Sequence, residues 1–301
     1  MIKNALIIGY GSIGRRHAGI LSKILGKKNI SIVSKQKKIV FKTYKNLDKI
    51  DQKPDYIVVA NRTSSHLRTI KNIEKKFKGL KVLVEKPLFE KNYKFNIRNN
   101  KYYVGYNMRF NPIIKFIKKK IKNKKMWRVK ACCNSFLPSW RKNIKYYDSS
   151  SAKKKYGGGV SLDLSHEVDY IQYLFGKIKL NKAQKAKFSN LKIDVEDFVN
   201  ILGKTKKISF LQINLDYFSK INERSLKIDG KNFSLYADFI KKKINFIKNK
   251  SEKIIYFKKY NRNYEYEQQH RSIIFNKNLN KICTYFEGIQ ILKLLNGISK
   301  I

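Results

Sequence analysis

Cysteine is scarce, with 3 in 301 residues, and none of the three is spaced for a metal site. Cys132 and Cys133 are adjacent, Cys283 lies far away, and no His stands near them, so zinc-ligand spacing is absent. Alternation around Cys132 and Cys133 predicts a strand, with packing or surface thiols as their roles, and a reducing compartment fits. Long apolar runs are missing too. No stretch approaches the roughly 18 apolar residues that cross a bilayer. The opening MIKNALIIGYG lacks a signal-peptide cleavage pattern, so a soluble, cytoplasmic protein without a membrane partner is expected. Acidic residues are the third scarcity: 21 Asp+Glu stand against 68 Lys+Arg, a net charge of +47. Internal repeats are absent.

What is present excludes wholesale disorder. The chain is 42% apolar and 13% aromatic, enough for one or two sizeable cores, and its length predicts two domains. A charge of +47 points toward nucleic acid or an anionic membrane. Yet 57 of the 68 basic residues are Lys, accompanied by abundant Asn, Ile, Phe and Tyr. Those residues share A/T-rich codons, so genome base composition accounts for much of the excess. The longest unbroken basic runs are Lys118 to Lys120, Lys153 to Lys155 and Lys241 to Lys243, whereas a basic tail shows blocks of five or six. One window stands apart. From Lys91 to Tyr147 there are 17 basic residues and no acid.

The first 120 residues alternate short apolar runs with helical patterns, which predicts a parallel sheet with crossover helices. Strands are expected at 5–8, 30–33, 56–60, 82–84 and 102–105, with helices between them. Beyond the cluster at 118–125 (KKKIKNKK), strand-like runs at 127–132, 195–202, 208–215, 225–228 and 233–237 follow one another. One strong helix at 162–175 interrupts them, and another closes the chain at 286–299. The expectation is therefore α/β: a doubly wound Rossmann domain over 1–120, then an α+β domain over 121–301 on a mostly antiparallel sheet. The C-terminal helix is able to pack back on the first domain.

Gly9-Tyr10-Gly11-Ser12-Ile13-Gly14 follows the first strand and opens a helix. In that context the first Gly makes the tight turn, the second admits a pyrophosphate, and the third lets helix pack on strand. The helix N-terminus adds free N–H groups and a positive dipole. A dinucleotide is the implied ligand. An NAD site places an acid about 20 residues on, at the ribose 2′-OH. Here Ser34 and Lys35 occupy that place, and no carboxylate occurs between Gly14 and Asp48. A hydroxyl beside a cation suits a 2′-phosphate, which favours NADP over NAD.

Two chemistry-bearing positions follow. Lys86 stands just past a parallel strand, in VLVEKP, on the edge that faces the ligand crevice in doubly wound folds, and Pro87 ends the strand. Downstream, GGGVSLDLSHEVDY (157–170) places Leu164, Val168, Ile171 and Phe175 on one helical stripe. At 100° per residue, Asp163, His166 and Tyr170 fall on a different face. His166 is then not a core histidine, and the three glycines permit close approach of a ligand.

Six motifs occur in order: GYGSIGRRH at 9–17, VVANRTSSH at 58–66, VEKP at 84–87, GYNMRFNP at 105–112, GGGVSLDLSHEVD at 157–169 and FEGIQILKLL near the end. Together they resemble the glucose–fructose oxidoreductase / inositol dehydrogenase (Gfo/Idh/MocA) family over nearly the full chain. The resemblance implies a nicotinamide cofactor on the first domain, with Asn61, His66 and Glu85 joining the glycine turn as cofactor contacts. It implies a second domain whose sheet covers the cleft and supports homo-oligomers. It also implies oxidation or reduction of a sugar, cyclitol or sugar nucleotide at a hydroxyl or ketone. Lys86 matches the family's catalytic Lys, and His166 with Asp163 its Asp/His pair. The separation here is three residues where many members have four, which leaves Asp169 as an alternative partner for His166. Arg62 stands where relatives often have Pro.

In chemical terms His166 is the general acid/base and Lys86 the group that polarises the same oxygen, roles that could be exchanged, and no metal is required. Asn107 and Arg109, and Trp140 and Arg141, fall in the acid-free window that borders the family's substrate cleft. They imply an anionic sugar or nucleotide sugar. The stretch 137–159 also looks like relatives associated with bacterial surface-carbohydrate synthesis. Two other classes stay open: a non-catalytic dinucleotide-sensing regulator, and a polyanion binder using the 118–125 cluster. No recognised nucleic-acid motif supports the last.

Overall fold

The computed structural model describes residues 2–141, 144–257 and 260–300. The chain divides into two units, Met1–Phe110 with Asn261–Lys293, and Asn111–Tyr260 with Leu294–Ile301. The break therefore falls at 110/111 rather than 120/121. The first unit also reclaims a much longer C-terminal segment than a single packed-back helix.

The first unit opens with β1 (Ala5–Ile8), every residue of which is buried, as expected of a strand covered on both faces. It is followed by α1 (Ser12–Leu25), β2 (Ile30–Val33), β3 (Lys42–Tyr44), β4 (Tyr56–Val59), α2 (His66–Lys76), β5 (Lys81–Val84) and β6 (Lys101–Val104). These six strands pair in parallel in the order β6-β5-β4-β1-β2-β3. The order reverses between β1 and β4, so the loops after those two strands flank the crevice where doubly wound sheets bind ligands.

In the second unit Asn111 caps α3 (Pro112–Lys120), accepting from the Ile113 N–H at 2.9 Å, with Pro at the first helical position. Next come β7 (Met126–Asn134), the short α4 (Val160–Asp163), α5 (His166–Phe175), β8 (Lys179–Ala186), β9 (Phe198–Lys204) and β10 (Ile208–Asp216). The sheet continues with β11 (Glu223–Gly230), β12 (Phe233–Asp238), β13 (Lys243–Lys248) and β14 (Ser251–Tyr256). The inner positions Val129, Ala131, Leu211, Ile213, Leu226 and Leu235 are buried, and α5 packs against β7 and β10. Cys132 and Cys133 lie on β7, and all three cysteines are free and buried.

The chain then returns to the first unit with α6 (Tyr264–Ile274), β15 (Cys283–Thr284), antiparallel to β6, and α7 (Tyr285–Asn296). It ends with β16 (Ser299–Lys300) beside β8. The second sheet thus runs β14-β13-β12-β11-β7-β10-β9-β8-β16, antiparallel except at β7–β10 and β8–β16.

A capping box starts α7. The Glu287 carboxylate accepts from the Thr284 N–H at 2.8 Å and from its hydroxyl at 2.9 Å. Its other oxygen pairs at 3.0 Å with Arg109, which is 2% exposed. Burial alone would raise the Glu287 pKa, but Arg109 and the Thr284 donors outweigh it and hold it low. With its folded pKa depressed, this carboxylate contributes stability above the ordinary glutamate range and loses it as the pH falls through the lowered value. Glu287→Gln is expected to cost on the order of 2 kcal/mol near neutral pH. That is less than a fully buried pair would, because Glu287 is 42% exposed. The gap to wild type narrows on acidification, as urea unfolding at a series of pH values will show.

Candidate functional site

The glycine turn is built by close approach. Gly9 has φ +98°, and a Cβ there would stand 2.7 Å from the Ala60 carbonyl and the Asn61 backbone. A Cβ on Gly14 would stand 2.1 Å from the Gly9 carbonyl oxygen. Gly11 is different: apart from its own chain neighbours, no described residue lies within 4 Å of the position its Cβ would take. That open space sits at the start of α1, whose first turn carries no acid and whose Gly11 cap supplies no side-chain oxygen. Tyr10, Ser12 and Ile13 complete the turn, with Ser12 exposed and Tyr10 packed edge-on against Phe41.

On the other side of the crevice Asn61 follows β4. Its amide donates to the Thr69 hydroxyl at 2.8 Å, while its buried Oδ1 has no hydrogen-bond partner among the described residues. A ligand N–H or O–H would satisfy it. Open space at Gly11 and a spare acceptor at Asn61 fit a dinucleotide on this turn. At the end of β2 the Ser34 hydroxyl accepts from the Gln36 N–H at 3.1 Å, and Lys35 is exposed. Arg15, in the first turn of α1, reaches the Gln36 side chain at 3.3 Å and lies over the Tyr10 ring. Sequence reasoning missed Arg15 and Gln36, although a cation one residue past the third glycine was the available signal.

His66 is 1% exposed. Its Nδ1 lies 3.0 Å from the Leu88 carbonyl and 3.2 Å from that of Pro87, and its Nε2 lies 3.3 Å from that of Asn61. Burial lowers its pKa, against the carbonyls and Glu85. The ring thus ties the loop after β4 to the loop that carries Lys86. Glu85 is buried, its carboxylate 2.9 Å from His17 of α1, and Lys86 is half-buried. Asn107 and Arg109 sit in a tight helical turn whose residues are all buried. Arg109 is engaged by Glu287 rather than presented to solvent.

In the second unit the expected helix over 162–175 is two helices. Leu164 leaves helical geometry between α4 and α5, and the hydroxyl of the following Ser165 donates back to the Leu162 carbonyl at 2.7 Å. Asp163 therefore ends one helix and His166 begins the next, both half-buried, so a single-helix face does not relate them. Tyr170 is fully buried with the apolar stripe, as is Asp169. Glu167 is buried and paired with Arg224 at 2.7 Å.

The glycine run is demanded by the chain itself. Gly159 has φ +116°, and a Cβ there would stand 2.6 Å from the Glu196 carboxylate. That carboxylate accepts from the Ser161 hydroxyl and N–H at the start of α4. Asp163 accepts at 2.6 Å from the hydroxyl of Tyr217, a buried residue whose phenol is held protonated by burial and then by Asp163. The Tyr217 ring meets Trp140 edge-on at 5.3 Å. Trp140 and Arg141 help line a small, open pocket with Leu137, Ile144, Tyr146, Ser149 and Ser151. Tyr217 and Glu196, which anchor Asp163 and the glycine run, carry no local sequence signal. They are brought in from the residue just past β10 and from the loop before β9.

Two family models match the chain. One, an oxidoreductase family with an NAD-binding Rossmann fold (GFO_IDH_MocA), covers residues 3–94. The other, that family's C-terminal alpha/beta domain, covers 117–294. No curated protein matches. Among solved structures, levoglucosan dehydrogenase in complex with NADH is 14% identical with a TM-score of 0.81, covering 98% of this chain and 95% of that one. UDP-N-acetylglucosamine 3-dehydrogenase GnnA from Acidithiobacillus ferrooxidans is 13% identical with a TM-score of 0.77, covering 99% and 97%. The WlbA dehydrogenase from Bordetella pertussis, in complex with NADH and UDP-GlcNAcA, is 17% identical with a TM-score of 0.75, covering 99% and 95%.

Proposed function

We propose, since the chain belongs to the Gfo/Idh/MocA oxidoreductase family, that it transfers hydride between a nicotinamide and the hydroxyl or ketone carbon of a sugar or nucleotide sugar that carries negative charge. The observation that carries the reading is the glycine turn, whose one uncrowded glycine faces open space at the helix start. The bound dinucleotide supplies the carbon that accepts or gives the hydride. Oxidation of a carbinol leaves a proton on its oxygen. His166 takes that proton, and the Lys86 ammonium hydrogen-bonds the same oxygen and stabilises its developing charge; in reduction both run in reverse. Asp163, held by Tyr217, supports the segment that carries His166.

Arg141 beside Trp140 and Tyr146 favours an anionic, ring-bearing substrate. NADH complexes of sugar- and nucleotide-sugar-linked dehydrogenases among the structural neighbours support the same class. The test is a turnover screen with UDP-N-acetylglucosamine, its uronic acid and neutral hexoses, each with NAD and NADP. Selective turnover of the charged nucleotide sugars, weakened by added salt, is expected. Preference for neutral hexoses overturns the anionic reading.

For the dinucleotide we assign NADP over NAD. Arg15 reaches the side chain of Gln36, whose N–H donates to the Ser34 hydroxyl, and Lys35 is exposed between them; a 2′-phosphate would need cations here and NAD would need a carboxylate. KM for NADP is expected to lie about tenfold below that for NAD, and Lys35→Asp to reverse the order. Equal KM values for the two dinucleotides contradict the assignment.

Self-association through the outward face of the nine-stranded sheet fits exposed Phe210, Tyr236 and Ile254. Among the described residues no helix is long and apolar enough to cross a membrane. The free, buried cysteines fit a cytoplasmic setting, and a role in surface-carbohydrate synthesis fits the charged-sugar reading.

A further inference from the structure

The interior of the first unit holds a buried polar chain that the proposed reaction leaves unused. His17 of α1 and His270 of α6 are both fully buried, with His17 Nδ1 2.7 Å from His270 Nε2. The second ring nitrogen of His17 lies 2.9 Å from the Glu85 carboxylate at the end of β5. The second nitrogen of His270 lies 3.0 Å from the hydroxyl of Tyr56 on β4, also fully buried. The two imidazoles meet edge to face at 4.9 Å, and Tyr266 packs edge-on against His17 at 5.6 Å.

The direction of the chain follows from its Tyr56 end. Among the described residues the Tyr56 hydroxyl has one hydrogen-bond partner, His270 Nδ1. Burial and the charge of Glu85 push the phenol pKa well up, so the hydroxyl keeps its proton and donates it. His270 Nδ1 is then an acceptor and the proton of that ring sits on Nε2. A neutral His270 is also what burial and the facing His17 favour. Nε2–H points at His17 Nδ1, which puts the His17 proton on its own Nε2, directed at Glu85. Each of these buried atoms is satisfied without a buried imidazolium.

We propose that His17 and His270 are positioning residues: the one-way chain Tyr56→His270→His17→Glu85 locks the Glu85 carboxylate and, through the adjoining backbone, the presentation of Lys86. The end of β6 completes the slot, since a Cβ on Gly105 would stand 2.8 Å from the same Glu85 oxygen. The chain also ties α1, which opens with the dinucleotide turn, to the Lys86 segment. Neither histidine touches substrate. The inference rests on Lys86 being the group that polarises the reacting oxygen.

Imidazole nitrogen–proton correlation spectra of the full-length protein near neutral pH test the chain without substrate. Both rings are expected neutral and protonated at Nε2, and Tyr56→Phe is expected to disturb His270 before His17. A doubly protonated His17, or His270 protonated at Nδ1, overturns the chain. Positioning is tested by kinetics. His270→Phe is expected to lower kcat about tenfold while KM for the dinucleotide stays within about twofold. His270→Gln, which keeps a donor toward His17, is expected to recover most of it. Wild-type kcat in His270→Phe, alongside an inactive Lys86→Ala, overturns the positioning role and leaves the reading of Lys86 standing.

Discussion

His166→Ala and Lys86→Ala are each expected to lose turnover by about 10² to 10⁴ and still to bind the dinucleotide. The size follows from the chemistry. Without a base at the oxygen, proton loss must wait for water, and general acid–base catalysis is worth that range. Without the Lys86 ammonium, charge developing on the oxygen is stabilised only by solvent, a loss of similar order. Binding is expected to survive because the proposed dinucleotide contacts lie elsewhere: the backbone of the glycine turn, the Asn61 acceptor, and Arg15 and Lys35. Fluorescence titration with the reduced dinucleotide, run beside a turnover assay, separates the two effects. Wild-type turnover in either variant removes that residue from the chemistry.

The second large effect is a contrast between two glycines of one turn. Gly14→Ala drives a methyl to 2.1 Å from the Gly9 carbonyl oxygen, a backbone atom that cannot step aside. Helix and strand must separate, so stability is expected to fall by about 3 kcal/mol and dinucleotide binding with it. Among the described residues Gly11→Ala meets no atom within 4 Å beyond its own chain neighbours. Its fold is expected to be as stable as wild type, or slightly more so because alanine restricts the unfolded chain. Its methyl nevertheless occupies the space where the pyrophosphate approaches, so affinity falls at least tenfold. Thermal unfolding and dinucleotide titration of both variants give the pattern. Undiminished affinity in Gly11→Ala contradicts the placement of the phosphates.

Both sheets were legible in the sequence where burial is simple. ALII and YIVV are continuous apolar runs because both faces of their sheet are covered, and β9 and β12 alternate because one face packs on the core. The unexpected strands β8 and β14 are mostly exposed, so they carry neither pattern. Helix α6 was hidden for the opposite reason. Its buried face includes Glu265, Gln269 and His270, and the last two bond partners far away in sequence: Gln269 donates to the Val104 carbonyl, and His270 meets His17 and Tyr56. The break between α4 and α5 turns on Leu164 and Ser165, which look like ordinary helix interior. In the candidate site, the glycine turn and Lys86 drew attention because a punctuating Gly or Pro marks each, and His166 because a glycine run precedes its segment. The basic window that singled out Arg109 as a substrate contact does not reveal its ion pair with the distant Glu287.

Hydride transfer itself is the central claim, and isotope transfer tests it most directly. The protein is incubated with NAD or NADP and a nucleotide sugar deuterated at its ring carbinol carbons, and the dinucleotide is examined by mass spectrometry. Deuterium on the nicotinamide with wild type, and none with His166→Ala, is the predicted result. A dinucleotide that binds tightly yet stays unlabelled with every sugar would contradict it and mark the chain as a binding protein rather than a dehydrogenase.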